Sequence, residues 1–168
     1  MKILIIGNIG SGKSYLSKKL GDILGYKVFQ IDSIVHDDLK GIKRSLDEQI
    51  KLINKINREN KDYIIEGVLR DGLDLLLPLS SSIIYLDLNK KILKRRVHFR
   101  YWKQKLGLEK VNYKIDKVFL KQMISWVDNY NYDKLKKRLT KYYNKVIILK
   151  TKKDVKKLLL AYEESIKY

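Results

Sequence analysis

The sequence predicts an α/β domain: a five-stranded, mostly parallel sheet with helices on both faces, and a helical, lid-like excursion over residues 89–143. Three observations carry this. Short apolar runs alternate with longer amphipathic stretches, the runs have strand length and are rich in Ile, Val and aromatic residues, and a glycine-rich segment joins the first run to the first helical pattern.

The runs are Ile3–Ile6, Lys27–Ile31, Tyr63–Ile65, Ser82–Asp87 and Val146–Leu149. Between the first two, Leu16, Leu20, Ile23 and Leu24 recur at i, i+4, i+7 and i+8, so a helix spans 14–24 and Gly25 ends it. Ser45 and Glu48 form a capping box ahead of Leu46, Ile50 and Ile53, which predicts a helix from Ser45 to about Asn60. After the fourth run, Asn89 caps a helix through Lys105, and Gly107 stops it. A second, longer helical region from about Tyr113 to Tyr142 sets Ile115, Phe119, Met123 and Trp126 on roughly one side. Trp102 and Trp126 are expected to pack between the helices of the excursion. The last helix begins at Thr151 and Asp154 and carries the stripe Val155, Leu158, Leu159 and Tyr162. Pro78 is the single proline, and no repeat or low-complexity linker divides the chain, so residues 1–168 are read as one domain.

Composition narrows the function classes. No apolar run approaches the roughly 20 residues of a membrane-spanning helix, and the run before Gly7 is shorter than the apolar core of a secretory signal. With no cysteine and only His36 and His98, thiolate and multi-histidine metal sites are excluded. A cytoplasmic protein is the expectation. The net charge of +18 is uneven: residues 1–80 carry 13 basic and 11 acidic side chains, residues 81–168 carry 24 and 8. Such a field draws polyanions, although scattered lysines also solvate ordinary helix faces.

The strongest motif is Gly7-Asn8-Ile9-Gly10-Ser11-Gly12-Lys13-Ser14, a full match to G-x-x-x-x-G-K-[ST] between an apolar strand and an amphipathic helix. Glycines let the backbone approach phosphate oxygens that a Cβ would exclude, and the positive end of the helix faces them. Lys13 is expected to neutralise the outer phosphates and Ser14 to ligate Mg²⁺, with Tyr15 next along the nucleotide-binding segment. The ligand expected is a nucleoside triphosphate. No N-K-x-D guanine motif follows, no transporter signature is present, and the chain is short for a tandem-core helicase, which leaves a small kinase.

Carboxylates at strand ends fit that class, because ligands of such sheets gather there. Asp32 follows the second strand and could orient or deprotonate an acceptor hydroxyl, or simply cap a helix. Glu66 ends the third strand and could hold Mg²⁺ through water. Asp87 ends the fourth and reads equally as a structural partner. Arg95, Arg96 and Arg100 hold three of the seven arginines within six residues. Arg96 and Arg100 share one helical face, with Lys103 continuing the stripe, and planar guanidinium groups suit a transferring phosphoryl group.

On these residues the chain resembles the adenylate kinase-like nucleoside and nucleotide kinases. Glu66-Gly67-Val68-Leu69-Arg70 is similar to the acid-Gly-x-x-Arg of that family, which implies that Arg70 holds an anionic group of the acceptor. Arg96-Val97-His98-Phe99-Arg100 resembles its R-x-x-x-R pair, which implies one arginine on the base and one on the phosphoryl group. Val146–Thr151 looks like the last strand and the turn, through Thr151, that contacts adenine. Over its whole length the chain is most similar to the small bacterial "DNA topology modulation" or adenylate kinase-related proteins. The resemblance implies ATP with Mg²⁺ and a small phosphoryl acceptor, plausibly a nucleoside, nucleotide or similar hydroxyl compound, bound by Asp32, Arg44, Glu66 and Arg70. The segment from Asp32 to Ser45 is short for a monophosphate-binding domain, which weighs against AMP. Two other classes compete: a nucleotide-dependent nucleic-acid-binding or regulatory protein, suggested by the basic second half, and a simple ATPase with water as acceptor.

Overall fold

The computed structural model describes residues 1–37, 40–108 and 116–166. Five strands, β1 (Lys2–Gly7), β2 (Lys27–Gln30), β5 (Tyr63–Gly67), β6 (Ser82–Leu86) and β7 (Val146–Leu149), form one sheet in the order β2-β5-β1-β6-β7. Every pairing in it is parallel. Between β2 and β5 stand a short helix α2 (Ile31–Val35), a two-residue hairpin β3 (His36–Asp37) and β4 (Ile42–Lys43), and α3 (Leu46–Glu59). The other helices are α1 (Lys13–Leu24), α4 (Leu76–Leu79), α5 (Lys90–Lys105), α6 (Lys117–Asp128), α7 (Tyr132–Thr140) and α8 (Lys152–Ser165).

The central strand explains the layering. Ile3, Leu4, Ile5 and Ile6 are all fully buried, and their side chains alternate between two faces. Ile3 and Ile5 join Leu16 and Leu20 of α1, with Leu158, Leu159 and Tyr162 of α8 packed alongside. Leu4 and Ile6 join Ile34, Val35, Ile53, Leu76, Leu135 and Leu139 on the other face. A third cluster holds the excursion: Leu88, Leu93, Val97, Met123 and Val127, with Ile9 packed against it.

Three expectations need correction. The second strand stops at Gln30, and Ile31 opens α2 instead of closing the strand. Ile31 lies so close to Gly67 that a Cβ on the glycine would sit 2.6 Å from the Ile31 Cβ. The helical region expected from Tyr113 to Tyr142 is two helices, broken at 129–131, because Asn131 accepts the Lys134 N–H and caps α7 afresh. Its expected start at Tyr113, and Ile115, lie outside the described residues. Trp102 and Trp126 are about half exposed rather than packed between helices. Val127, one residue further round α6, fills the core, and Trp126 meets Phe119 edge-on at 6.4 Å. The capping box at Ser45 and the left-handed stop at Gly25 form as the sequence predicts, and Thr151 and Asp154, expected at the start of the last helix, make a second box there.

Candidate active site

The turn from β1 into α1 builds a cradle. Gly10 and Gly12 have φ of +74° and +98°, a left-handed region that glycine enters without strain. Gly10 also passes so close to α5 that a Cβ would lie 3.2 Å from the Leu93 carbonyl oxygen. No side chain caps the start of α1, and the buried Ser11 Oγ has no hydrogen-bond partner among the described residues. An anion seated at the helix start would meet both.

Lys13 is buried and donates from Nζ to the Asn8 carbonyl at 2.9 Å. Desolvation lowers its pKa from the ordinary 10.5; Glu66 and Asp32 oppose that, and Arg100 adds to it. Ser14 Oγ donates to Glu66 Oε1 at 2.8 Å, and Glu66 is itself buried. A hydroxyl and a carboxylate side by side are a hard-oxygen donor set that fits Mg²⁺. Arg96 lies across the loop, its Nη1 donating to the carbonyls of Ser11 at 2.9 Å and Gly10 at 3.2 Å.

These residues line one cleft of about 1240 Å³. It takes Ile9 to Tyr15 from the loop and the start of α1, Asp32 from α2, Glu66 from the end of β5 and Val68 just after it, Arg96, Arg100 and Lys103 from α5, and Thr151, Lys152 and Lys156 at the start of α8. Gly7, at the end of β1, and the buried Asn8 were expected to bind nucleotide but do not line the cleft. Arg70 reaches the cleft through an ion pair, its Nη2 2.5 Å from Asp32 Oδ1. Arg44 does not line the cleft: its guanidinium donates to the carbonyls of Ser33, Ile34 and His36 and pairs with Asp37 at 3.2 Å, which ties α2 to the hairpin. Asp87 accepts from the Tyr85 hydroxyl at 3.1 Å.

Sequence reasoning missed how the excursion grips the loop. Asn8 is buried, and its Nδ2 donates to the Val127 carbonyl at 3.1 Å and the Tyr132 hydroxyl at 3.0 Å, while its Oδ1 accepts the Ile9 N–H at 2.7 Å. Ile9 packs into the apolar cluster of the excursion. Arg138 of α7 was missed as well. It donates to Asp74 and to the carbonyls of Leu69 and Arg70, so it fixes the segment that carries Arg70. An Asn and an Ile inside a glycine loop are the only local hints of this; the partners lie more than 100 residues away.

No protein-family model matches the chain. A protein of Methanocaldococcus jannaschii assigned as an adenylate kinase is 32% identical over 124 residues, which are 68% of this chain and 67% of that one. Among solved structures, deoxyadenosine kinase from M. mycoides with bound dATP superposes with a TM-score of 0.58 at 16% identity, covering 100% of both chains. Shikimate kinase from Bacteroides thetaiotaomicron gives 0.56 at 13%, covering 100% of this chain and 99% of that one. These two likenesses establish the fold, and the archaeal relative establishes the kinship. The chain belongs to the adenylate kinase-like family of small P-loop kinases.

Proposed function

We propose that this protein transfers the γ-phosphoryl group of ATP to a hydroxyl of a small acceptor. The observation that supports it most is the meeting, in one cleft, of the phosphate loop with Lys13, Arg96 and Arg100 and of a carboxylate, Asp32, that the loop does not need for nucleotide binding.

In this reading the loop seats the phosphates at the uncapped start of α1. The Lys13 ammonium exchanges the Asn8 carbonyl for phosphate oxygens, and Arg96 and Arg100 stabilise the charge that spreads over the transferring group. Ser14 and Glu66 would hold Mg²⁺, which supplies further neutralisation of the phosphate oxygens. Asp32 orients the acceptor hydroxyl and takes its proton, held in position by Arg70. The exposed Tyr15 and Thr151 line the same cleft and would flank the nucleoside part of ATP.

The test is phosphoryl transfer from labelled ATP to a panel of nucleosides, monophosphates and small hydroxyl compounds, each against a no-acceptor control. Lys13→Met is expected to abolish transfer and hydrolysis alike, and Asp32→Asn to suppress transfer while background hydrolysis persists. Hydrolysis indifferent to every acceptor would instead favour an ATPase. A second reading, a nucleotide-dependent nucleic-acid binder akin to the "DNA topology modulation" proteins, is favoured by the 24 basic against 8 acidic residues of 81–168. It requires binding to unrelated DNA or RNA that weakens steeply between about 50 and 200 mM salt.

A further inference from the structure

The charges lining the cleft are divided by the strand order. On the β6–β7 side of the loop stand Arg96, Arg100, Lys103, Lys152 and Lys156. On the β2–β5 side stand Asp32 and Glu66, and among the described residues no cation lines the cleft there. Arg70, the cation at its edge, is paired with Asp32. The other cations nearby are turned to structural work: Arg44 to the carbonyls of α2 and to Asp37, Arg138 to Asp74 and the Leu69–Arg70 carbonyls, Lys134 to Asp71 at 2.7 Å. One half of the cleft is built for a polyanion; the other presents two carboxylates and a guanidinium already neutralised.

We infer, on the phosphotransferase reading above, that the acceptor is an uncharged hydroxyl compound and not a phosphate monoester. A monoester dianion on the β2–β5 side would meet the Asp32 carboxylate at close range, and Arg70, the one arginine at that edge among the described residues, would have to leave Asp32 first. An uncharged alcohol leaves the pair intact and uses it. Arg70 bonds to Oδ1, which leaves Oδ2 to accept the hydroxyl proton. The acceptor oxygen then forms its bond to the γ-phosphorus as the bond from that phosphorus to the β,γ-bridging oxygen breaks. ADP carries away the electron pair, and the proton on Asp32 passes to water when product leaves.

The test does not require the true acceptor. Protein is loaded with Mg²⁺ and a non-hydrolysable ATP analogue, and the ribo- and deoxyribonucleoside 5′-monophosphates are titrated calorimetrically into wild type and Asp32→Ala. Asp32 is exposed, so its removal leaves the core untouched. Wild type is expected to show no monophosphate binding, and Asp32→Ala, with Arg70 released, to gain it by about tenfold or more. Monophosphate binding by wild type, or phosphoryl transfer to a monophosphate from ATP, would overturn the inference and leave the kinase reading standing. An Asp32→Ala protein as silent as wild type would overturn it too, because Asp32 would not be what withholds Arg70. Loading is itself followed by titrating the analogue into wild type, and if no binding is seen there the phosphotransferase reading falls together with the inference.

Discussion

Replacing Asn8 by alanine tests how firmly the excursion is fastened to the phosphate loop. The wild-type amide uses both Nδ2 hydrogens and its Oδ1 in a buried setting. Truncation leaves the Val127 carbonyl and the Ile9 N–H without partners, while the Tyr132 hydroxyl can turn elsewhere. A stranded buried group costs about 1–3 kcal/mol, so two cost about 2–4 kcal/mol once partial access of water to Ile9 is allowed for. In a domain of this size that lowers Tm by roughly 6–12 °C. The KM for ATP should rise in parallel, because the Asn8 carbonyl also receives Lys13 Nζ at 2.9 Å. Asn8→Asp keeps the volume and the Ile9 contact but sets an oxygen against the Val127 carbonyl, and should destabilise at least as much. Thermal melts of Asn8→Ala, Tyr132→Phe and the double variant then give a coupling of about 0.5–1.5 kcal/mol for the direct bond. An unchanged Tm and unchanged KM in Asn8→Ala would refute the fastening.

Other variants probe the rest of the site. Because burial holds the Lys13 pKa below its ordinary 10.5, the folded protein sheds that proton before the unfolded chain does, so its contribution to stability rises with pH between the lowered value and 10.5. Phosphate binding needs the ammonium; within that window MgATP binding should take up protons and weaken with pH, and Lys13→Met should show neither, as calorimetry in buffers of different ionisation enthalpy will read. Arg138→Ala should raise the acceptor KM about tenfold, about 1.4 kcal/mol, and leave the ATP KM unchanged, because Arg138 touches only the segment behind Arg70. Steady-state kinetics with each substrate varied checks the split. Gly67→Ala places a Cβ 2.6 Å from Ile31 Cβ and must push α2 away by about 1 Å to reach ordinary contact near 3.6 Å. With Asp32 next in the chain, transfer should drop about 100-fold while nucleotide affinity holds, measured by single-turnover transfer and analogue titration.

The parts of this fold that were legible in the sequence are those written in neighbouring residues. The strand runs, the capping box at Ser45, the stop at Gly25, the start of the last helix at Thr151 and the phosphate loop depend on contacts within a few positions, and apart from Ile31, which opens α2 instead of closing β2, they stand where periodicity and caps put them. The break at 129–131 was hidden because Asn131 caps α7 inside an otherwise helical pattern. Trp126 was misplaced because α6 turns its Met123–Val127 edge, not its aromatic edge, to the core. Arg44 illustrates a different limit. Position in the chain says that an arginine is near the acceptor side, but not that three carbonyls and Asp37 occupy its guanidinium. The clamp of Asn8 to Val127 and Tyr132 spans more than 100 residues, and no local pattern announces it.

The account rests on the cradle at the start of α1 gripping a triphosphate through Lys13. Calorimetric titration of the wild-type protein and of Lys13→Met with magnesium-loaded ATP, at neutral pH, examines that directly. Saturable one-to-one binding by wild type, lost in Lys13→Met while the melting temperature holds, is the expected result. Absence of binding by wild type, or equal binding by the variant, would contradict it.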